Sequence, residues 1–341
     1  MGEKTLFPTS GQNAPAGEPI KKNQNEKNQT KEAPGEPIKK RREYLFLYDV
    51  KNANPNGDPL DENKPRMDEE SGRALVTDVR LKRVIRDTLE EFGECVFLSK
   101  ERVLKEDQQK KTREELLKEF GNDPFEAVKR CIDLRLFGAV FSVKNNNISL
   151  TGPVQFNFGY TLHRVEPKLI KGTTILPSKE DKKQGTFTEM WIIPYGLIVF
   201  YGVANQFAAK DTGLTEEDLN KMTKAMWLGT KASTDVLSHS KMGHTPRLLI
   251  EVVYKEGVKT QMGELDALVR VEVKGDKTEE EVRDIEDLVV DLSRLQKRVK
   301  RYKDRIEKVR YAIDDRIELK QPLKEVFKDI PLEEFDWFKE V

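Results

Sequence analysis

A buried strand, a sharp turn and a basic helix follow one another near the start of the chain. Tyr44-Leu-Phe-Leu-Tyr-Asp-Val50 is a continuous apolar run of strand length, which favours a strand buried on both faces. Residues 51–59 are rich in Asn, Pro, Gly and Asp, so the backbone must turn there and expose amide groups. Residues 77–92 then place their apolar side chains on one helical face. This order predicts a surface suited to binding phosphate groups.

The turn and the helix supply the first candidate contacts. Mixtures of cations and amides hold phosphates and position a nucleic acid without reading its bases. In the turn, the candidates are Lys51, Asn52, Asn54 and Asn56. The basic helix residues cannot all point one way at 3.6 residues per turn, so we expect contacts from Lys82 and Arg83. A solvated turn and a solvated helix face are the alternatives.

A second cluster lies in Ser238-His-Ser-Lys-Met-Gly-His244. Gly243 permits close backbone approach, and the surrounding donors predict phosphate binding. The candidate contacts here are Ser238, His239, Ser240, Lys241, His244 and Arg247. Ser238 and Lys241 also have the Ser-x-x-Lys spacing of a serine acyltransferase, but the sequence lacks the accompanying Ser-Asp-Asn and Lys-Thr-Gly motifs.

The overall charge places any nucleic-acid site in local clusters. The chain has 60 basic and 60 acidic residues, so it is not a uniformly basic protein. Residues 144–183 hold seven Lys or Arg against three acids, and residues 221–247 hold five against one. The two cysteines make no disulfide framework, which fits a cytoplasmic protein. The three histidines lack zinc-site spacing, so we expect no metal and no cofactor.

The organisation along the chain predicts a disordered extension followed by a mixed α+β fold. Residues 1–42 repeat Gly-Glu-Pro-Ile-Lys-Lys within polar sequence and cannot bury enough apolar surface to fold. The single folded domain is predicted to span 43–341, with strands and helices alternating irregularly. Residues 164–190 are predicted to form a long loop or a flexible hairpin, and a loop of that length inside a compact domain is usually functional. Thr278–Tyr302 is predicted to be one long amphipathic helix.

These motifs also carry a family resemblance. The runs at 47–59 and 77–83 resemble the N-terminal signature of the Cas seven family, type I-B (Csh two) subgroup, which forms the repeating backbone of a CRISPR Cascade complex. Further similarities lie in the runs 133–138, 151–156, 195–200 and 238–248. Together they cover about residues 43–275 in order and at sensible spacing.

The resemblance implies an RRM-like (ferredoxin-like) palm with inserted segments. By order along the chain, we assign the fingers to about 93–160 and the thumb to about 164–190. In the thumb, Lys168 and Lys171 accompany apolar residues and are candidate RNA contacts, with a solvated loop as the alternative. Arg135 is the one candidate contact in the Asp-Leu-Arg-Leu-Phe-Gly run, whose other residues serve packing.

The leading hypothesis is a non-enzymatic subunit that stacks head-to-tail along a CRISPR guide RNA. Its partners would be the guide, neighbouring copies, other Cascade subunits and, through the guide, target DNA. The first alternative is a Mg²⁺-dependent ribonuclease of the type III backbone kind that uses Asp58 or Asp61. The second is a protein-interaction scaffold, suggested by the long charged helix predicted at Thr278–Tyr302.

Overall fold

The structure is a computed structural model that describes residues 35–103, 111–143, 146–173, 187–234, 237 and 241–340. The strands of these residues are β1 (Arg42–Ala53), β2 (Gly57–Asp58), β3 (Lys64–Pro65), β4 (Met67–Asp68), β5 (Arg73–Val76), β6 (Gly138–Val143), β7 (Asn146–Thr151), β8 (Val154–Phe156), β9 (Gly159–Thr161), β10 (Lys168–Thr173), β11 (Phe187–Ala204), β12 (His244–Tyr254), β13 (Arg270–Val273), β14 (Leu288–Asp291), β15 (Ile306–Ile313) and β16 (Leu332–Glu334).

The α-helices are short, apart from two that pack on the central sheet. They are α1 (Asp78–Glu91), α2 (Lys100–Val103), α3 (Arg113–Lys118), α4 (Pro124–Arg130), α5 (Ile132–Phe137), α6 (Gln206–Thr212), α7 (Glu216–Ala232), α8 (Ser293–Tyr302) and α9 (Leu323–Val326). Single 3-10 turns lie at Asp266–Leu268, Glu279–Glu281, Ile285–Asp287, Lys303–Arg305 and Asp336–Glu340. This composition confirms the α+β prediction.

A large sheet built around β1 organises the fold. Its strand order is β16-β15-β12-β1-β11-β9-β5-β4, and β8 and β10 also pair with β11. The pairings are antiparallel except between β15 and β16. Tyr44 and Phe46 join the apolar cluster on one face of β1, while Leu45 and Leu47 join the cluster on the other. All four are fully buried, which confirms the prediction of a strand buried on both faces.

Helices α1 and α7 cover one face of the sheet. Thr77 caps α1 by accepting a hydrogen bond from the Arg80 N–H, and Thr215 forms a capping box with Asp218 at the start of α7. The two helices pack closely at Gly229, where a Cβ would lie 2.2 Å from the Thr88 Oγ1. Both predicted helices are therefore present, and their caps start them at the predicted residues.

The opposite face is covered by the C-terminal part of the chain, and here one prediction is wrong. The predicted helix Thr278–Tyr302 is instead two 3-10 turns, strand β14 and the shorter helix α8, Ser293–Tyr302. Strand β14 pairs with β13, and the backbone N–H of Val290 donates to the Glu318 carbonyl. Since Leu288-Val-Val has strong strand propensity, tertiary pairing wins over the helical apolar period in this segment.

The fold begins earlier than residue 43. Ile38 is 2 % exposed and belongs to the cluster beneath α1 and α7. Its N–H donates to the Leu214 carbonyl at 2.9 Å, and Pro37 forms an isolated antiparallel β-bridge with Thr215. The second Gly-Glu-Pro-Ile-Lys-Lys copy therefore packs on the fold because its isoleucine finds an apolar site that local composition does not reveal. The rest of the predicted extension, 1–34, lies outside the described residues.

The segment between α1 and β8 has a small core of its own. Buried side chains from α3, α4, α5 and β6 enclose an apolar cluster, formed chiefly by Phe97, Leu116, Phe120, Val128 and Phe141. Hydrogen bonds from the Phe97 and Leu98 N–H groups to the Asp133 carboxylate hold this cluster to the end of the α1 connection. The segment is thus a packed insertion attached beside α1.

Candidate nucleic-acid interface

The last residues of β1 present Lys51 and Asn52 to solvent. Both side chains are exposed, and Asn52 has a φ of 52°. Asparagine tolerates this left-handed conformation better than most residues, so it suits the point where the chain leaves the strand. The Lys51 ammonium lies 2.7 Å from the Asp284 carboxylate and remains about half exposed. This end of β1 therefore offers a cation and an amide at the surface.

Two of the predicted amides hold the turn instead of facing solvent. Asn54 is 1 % exposed, and its side-chain amide donates to the Asn63 carbonyl at 2.6 Å. Asn56 accepts hydrogen bonds from both the N–H and the hydroxyl of Thr77, each at 2.9 Å. These bonds tie residues 54–56 to the residue before β3 and to the N-terminus of α1. The two asparagines therefore hold the surface residues in position.

The structure brings the two predicted clusters together, although they are far apart in sequence. The Lys241 ammonium donates to the Asn54 carbonyl at 2.6 Å, and the Lys51 N–H donates to the Gly243 carbonyl at 3.0 Å. Gly243 has a φ of 119°, and a Cβ there would lie 2.2 Å from the Lys51 carbonyl oxygen. We call the joined surface of residues 51–56 and 241–243 the β1 rim. Ser238, His239 and Ser240 lie outside the described residues.

His244 lies beneath the β1 rim rather than on it. Its side chain is buried, its Nδ1 is hydrogen-bonded to the Lys241 carbonyl, and its ring centroid lies 5.7 Å from that of Tyr48. Both rings line a cavity of about 20 Å³, together with Pro55 and residues of α1 and α7. That volume is enough for about one water molecule. His244 therefore supports the rim from below.

The α1 cations Lys82 and Arg83 are each paired with a carboxylate of the same helix. Lys82 contacts the Asp78 carboxylate at 3.0 Å and the Gln155 side-chain oxygen at 3.1 Å. Arg83 lies 2.7 Å from the Asp87 carboxylate and donates to the Leu98 carbonyl. Both side chains keep some exposure, so they stay candidate contacts whose charge is already partly neutralised.

Arg135 and Arg247 lie in the interior, which the sequence did not reveal. Arg135 forms a two-pronged ion pair with Asp218 at 2.9 and 2.7 Å. Arg247 lies 2.7 Å from Asp49 and also pairs with Asp314. Burial acts to lower the pKa of each arginine, but the hydrogen bonds and charge of the carboxylates outweigh it and raise the pKa. These positions make both arginines structural ion-pair residues, because neither guanidinium faces solvent.

The thumb candidates lie on β10. Lys168 and Lys171 are both exposed, and the Lys171 ammonium is 3.2 Å from the Glu189 carboxylate. Ile170 lies between them and is 46 % exposed. Exposed cations around an exposed apolar side chain match the predicted arrangement as far as the described residues go. Residues 174–186 of the predicted thumb lie outside the described residues.

Sequence reasoning missed two features near the β1 rim. The Lys64 ammonium lies 5.5 Å from the ring centroid of Trp191, in the part of β11 that pairs with β10. Met242 is 67 % exposed between the cation and the glycine of the 241–243 turn. Aromatic and apolar surfaces beside cations suit stacking against nucleic-acid bases. No local signal links Lys64 to Trp191, because they are far apart in sequence and only the tertiary fold places β3 beside β11.

The carboxylates of the ribonuclease alternative are engaged in turn structure or exposed. The Asp58 carboxylate lies 2.9 Å from the Arg66 guanidinium and accepts from the Leu60 N–H at 3.0 Å. Asp61 is exposed, and its backbone N–H donates to the Asp58 carbonyl. Among the described residues, no group of three or more His, Cys, Asp or Glu side chains is arranged to hold a metal ion.

An acidic segment adjoins the β1 rim through Asp284. This carboxylate pairs with both Lys51 and Arg316, each at 2.7 Å. Partial burial acts to raise the pKa of Asp284, but the hydrogen bond from Lys51 and the charge of Arg316 outweigh it, so the pKa lies below its ordinary value. Asp284 therefore stays ionised at neutral pH and competes with any anionic ligand for Lys51.

Comparison with known proteins identifies the family. Residues 40–293 match the family model of CRISPR-associated protein Cas7. The chain is also 31 % identical over 306 residues to the CRISPR-associated protein Cas7 of Haloferax volcanii, covering 82 % of this chain and 88 % of that protein. The chain therefore belongs to the Cas7 family of CRISPR-associated proteins.

Two solved structures align with this chain at low sequence identity. One chain of a CRISPR RNA-guided surveillance complex, pre-nicking, aligns with a TM-score of 0.53 and 12 % identity, covering 87 % of this chain and 96 % of that chain. A chain of a second CRISPR RNA-guided surveillance complex aligns with a TM-score of 0.49 and 16 % identity, covering 86 % and 94 %. The first alignment shows that this architecture occurs in such a complex.

Crossing a bilayer requires a helix that is both long and apolar. Across the described ranges, no helix has both properties.

Proposed function

We propose that this chain is the guide-RNA-binding backbone subunit of a type I-B CRISPR Cascade interference complex. The observation that carries the proposal is the convergence of the 51–56 turn and the 241–243 turn into the single β1 rim. The Lys51 and Lys241 ammonium groups and the exposed Asn52 amide at this end of β1 suit a phosphate backbone. Membership of the Cas7 family supports the CRISPR context, and the resemblance of the motifs to the Csh two subgroup supports type I-B.

The palm of this subunit is RRM-like in our proposal. The neighbouring strands β12, β1, β11 and β9 carry α1 and α7 on one face, which is the arrangement expected of such a palm. The packed insertion beside α1 serves as the fingers within 93–160, and β10 begins the thumb within 164–190. In chain order, the two segments of the β1 rim precede and follow these two insertions.

RNA recognition in this proposal is directed to the backbone. The rim presents ammonium and amide groups, which contact phosphates and leave guide bases free to pair with target DNA. Copies of the chain and other Cascade subunits would follow the guide head-to-tail, in the cytoplasm, and the RNA would set the length of the filament. Affinity should then fall steeply with salt and depend little on spacer sequence.

The subunit binds RNA without cutting it in our proposal. Asp58 is held by Arg66 and by the turn at Leu60, which gives its carboxylate a structural task. Incubation of the purified protein with Mg²⁺ and target RNA should leave the RNA intact. Periodic cleavage that disappears in Asp58→Ala or Asp61→Ala would instead establish the ribonuclease alternative.

The proposed function is tested by neutralising the two rim lysines and Lys82 of α1 together. We expect a Lys51→Gln/Lys82→Gln/Lys241→Gln variant to lose most of the CRISPR transcript that co-purifies with the wild type, measured by absorbance ratio and size-exclusion chromatography. Glutamine keeps a donor for the Asn54 carbonyl, so the fold should persist. The matched control is Lys274→Gln/Lys308→Gln/Lys320→Gln, which removes three lysines that are each paired with a glutamate elsewhere on the surface.

The control decides how a loss of RNA is interpreted. Equal loss in both variants would indicate a general charge effect and contradict a site at the β1 rim. Unchanged RNA retention and oligomer growth in the rim variant would overturn the proposal. Thermal unfolding of both variants verifies that each is folded before its RNA content is compared.

A further inference from the structure

The two cysteines of the chain meet at the base of the insertion, although they are 36 positions apart in sequence. The Cys95 and Cys131 sulfur atoms are 2.6 Å apart. This distance is only about 0.6 Å longer than a disulfide bond. Cys131 is fully buried, whereas Cys95 keeps partial exposure. One sulfur is thus accessible to a reagent from solvent, and the other lies directly behind it.

The backbone around both cysteines is already held in position for a bond. The Ile132 N–H donates to the Cys95 carbonyl at 3.0 Å. The neighbouring Asp133 carboxylate accepts from the Phe97 N–H at 2.7 Å and pairs with Arg86 at 3.1 Å. Two cysteines bridge without strain only where the backbone already brings their side chains together. Here closing the remaining gap requires side-chain adjustment alone.

The surroundings make the two thiols chemically unequal. The Arg102 guanidinium lies 3.9 Å from the Cys95 sulfur, and both Arg102 and Arg130 stack over the Phe120 ring. The hydrogen bond from Cys131 lowers the pKa of Cys95 against the opposing effect of burial, and the Arg102 charge lowers it further. The shared hydrogen bond and burial raise the pKa of Cys131. Cys95 therefore suits the attacking thiolate, and Cys131 the resolving thiol.

We propose that Cys95 and Cys131 are a redox-active pair that closes to an intramolecular disulfide at the base of the insertion. The co-reactant is a low-molecular-weight disulfide such as glutathione disulfide. The Cys95 thiolate attacks one of its sulfurs, a mixed disulfide forms, and one glutathione thiolate leaves. Cys131 then loses its proton to solvent and attacks the Cys95 sulfur, displacing the second glutathione thiolate. The protein gives up two electrons and two protons, and the reagent becomes two thiols.

The bond would join the end of the α1 connection to the junction of α4 and α5. It would close a loop that includes α2, α3 and α4, and so fix the base of the packed insertion to the helix that flanks the β1 rim. In a reducing compartment such a pair is transient and redox-sensing, whereas in intracellular proteins of hyperthermophiles it is retained. The inference is independent of RNA binding, because it depends only on the position of the two sulfurs.

The test uses the full chain incubated with excess glutathione disulfide under native conditions. Because the sequence has two cysteines, intact mass and thiol labelling after denaturation report the outcome directly. We expect a loss of two hydrogens, no labelled thiol, a single-chain band without reductant, and a melting temperature higher by about 3–6 °C. Two labelled thiols, a persistent glutathione adduct or only cross-linked chains would each overturn the proposal.

Two variants test the assigned roles of the sulfurs. Cys131→Ser should stop at a glutathione adduct on Cys95, because the resolving thiol is absent. Cys95→Ser should leave Cys131 unmodified, since Cys131 is buried. Equal modification of the two variants would contradict the assignment of attacking and resolving thiols. The wild-type measurement remains decisive for the pair itself if either variant fails to fold.

Discussion

The cations of the β1 rim and those of the interior beside it look alike in the sequence but have different surroundings. Lys51 is half exposed and paired with a carboxylate at the surface. Arg247 is 5 % exposed and lies between Asp49 and Asp314. A ligand can replace the partner of a surface cation, because water already screens that pair. It cannot replace the partner of a buried one without exposing an unpaired charge.

This difference separates positions that bind from positions that hold the binding surface in place. Changing a rim cation should alter RNA affinity and leave stability nearly unchanged. Changing an interior cation should reduce stability first and affect RNA only through the fold. Paired measurements of unfolding and binding on the same variants can therefore break or sharpen the distinction.

The largest expected effect is that of Arg247→Ala. Removing the guanidinium leaves Asp49 buried, with the Tyr195 hydroxyl at 3.0 Å as its remaining side-chain hydrogen-bond partner among the described residues. We expect the free energy of unfolding to fall by about 3–5 kcal/mol, measured by chemical denaturation. Arg316→Ala is the matched control, because that arginine is 44 % exposed and its removal should lower the free energy of unfolding far less. Equal losses in the two variants would remove the distinction between rim and interior.

A smaller effect on stability, which depends on pH, should come from His163, a buried residue that follows β9. Its Nδ1 lies 3.1 Å from the Glu279 carbonyl, and burial lowers its pKa below the ordinary value near 6.5. The unfolded chain therefore takes up this proton first as pH falls. Stability should be full above about pH 6.5 and decline below it, by at most about 1.4 kcal/mol per pH unit. A His163→Gln variant should show a flatter decline in pH-dependent unfolding, and parallel curves would contradict this origin.

Asn56→Ala should have a moderate effect because Asn56 links the rim to α1. It removes the acceptor for both the N–H and the hydroxyl of Thr77, and we expect a loss of about 1–2 kcal/mol in the free energy of unfolding. Asn52→Gly is the control, since its exposed side chain sits at a φ of 52° that glycine also adopts. Its stability should stay within about 0.5 kcal/mol. A larger loss in Asn52→Gly than in Asn56→Ala would reverse the assigned roles.

The smallest effect on stability should come from Lys51→Ala, which should instead act on binding. Its exposed ion pair contributes less than about 1 kcal/mol, whereas loss of one phosphate contact should lower the salt slope for single-stranded RNA by about 0.7. Asp284→Asn should raise RNA affinity, because it frees the Lys51 ammonium. Fluorescence anisotropy across a salt series measures both variants. Unchanged slope and affinity in the two would show that Lys51 does not contact RNA.

The helical face of the sheet could be predicted from sequence because its signals are local. Thr77 and Thr215 are caps whose hydrogen bonds involve neighbouring residues, and the apolar period that follows each cap belongs to one helix. The opposite face could not be predicted in the same way. Residues 278–302 have an apolar period compatible with a helix, but pairing of β14 with β13 depends on a distant segment.

The candidate site was predictable only as far as its signals are local. Composition alone identified the 51–56 turn and the 241–247 segment as places rich in donors. It could not distinguish the exposed Lys51 from the buried Asn54 and Arg247, because burial depends on which strands become neighbours. The contact of Lys64 with Trp191 has no sequence signal either, since it is made between strands of two different sheets.

The sequence by itself determined the buried character of β1, the start of α1 and α7 and the kinds of donor groups available. These properties follow from side-chain chemistry and from hydrogen bonds within a few residues. Only the tertiary structure decided that residues 51–56 meet 241–243, that Arg135 and Arg247 are enclosed, and that the two sulfurs come within 2.6 Å. The physical reason is that charge pairing and close contact depend on distance in space, which a chain sets when its strands choose their neighbours.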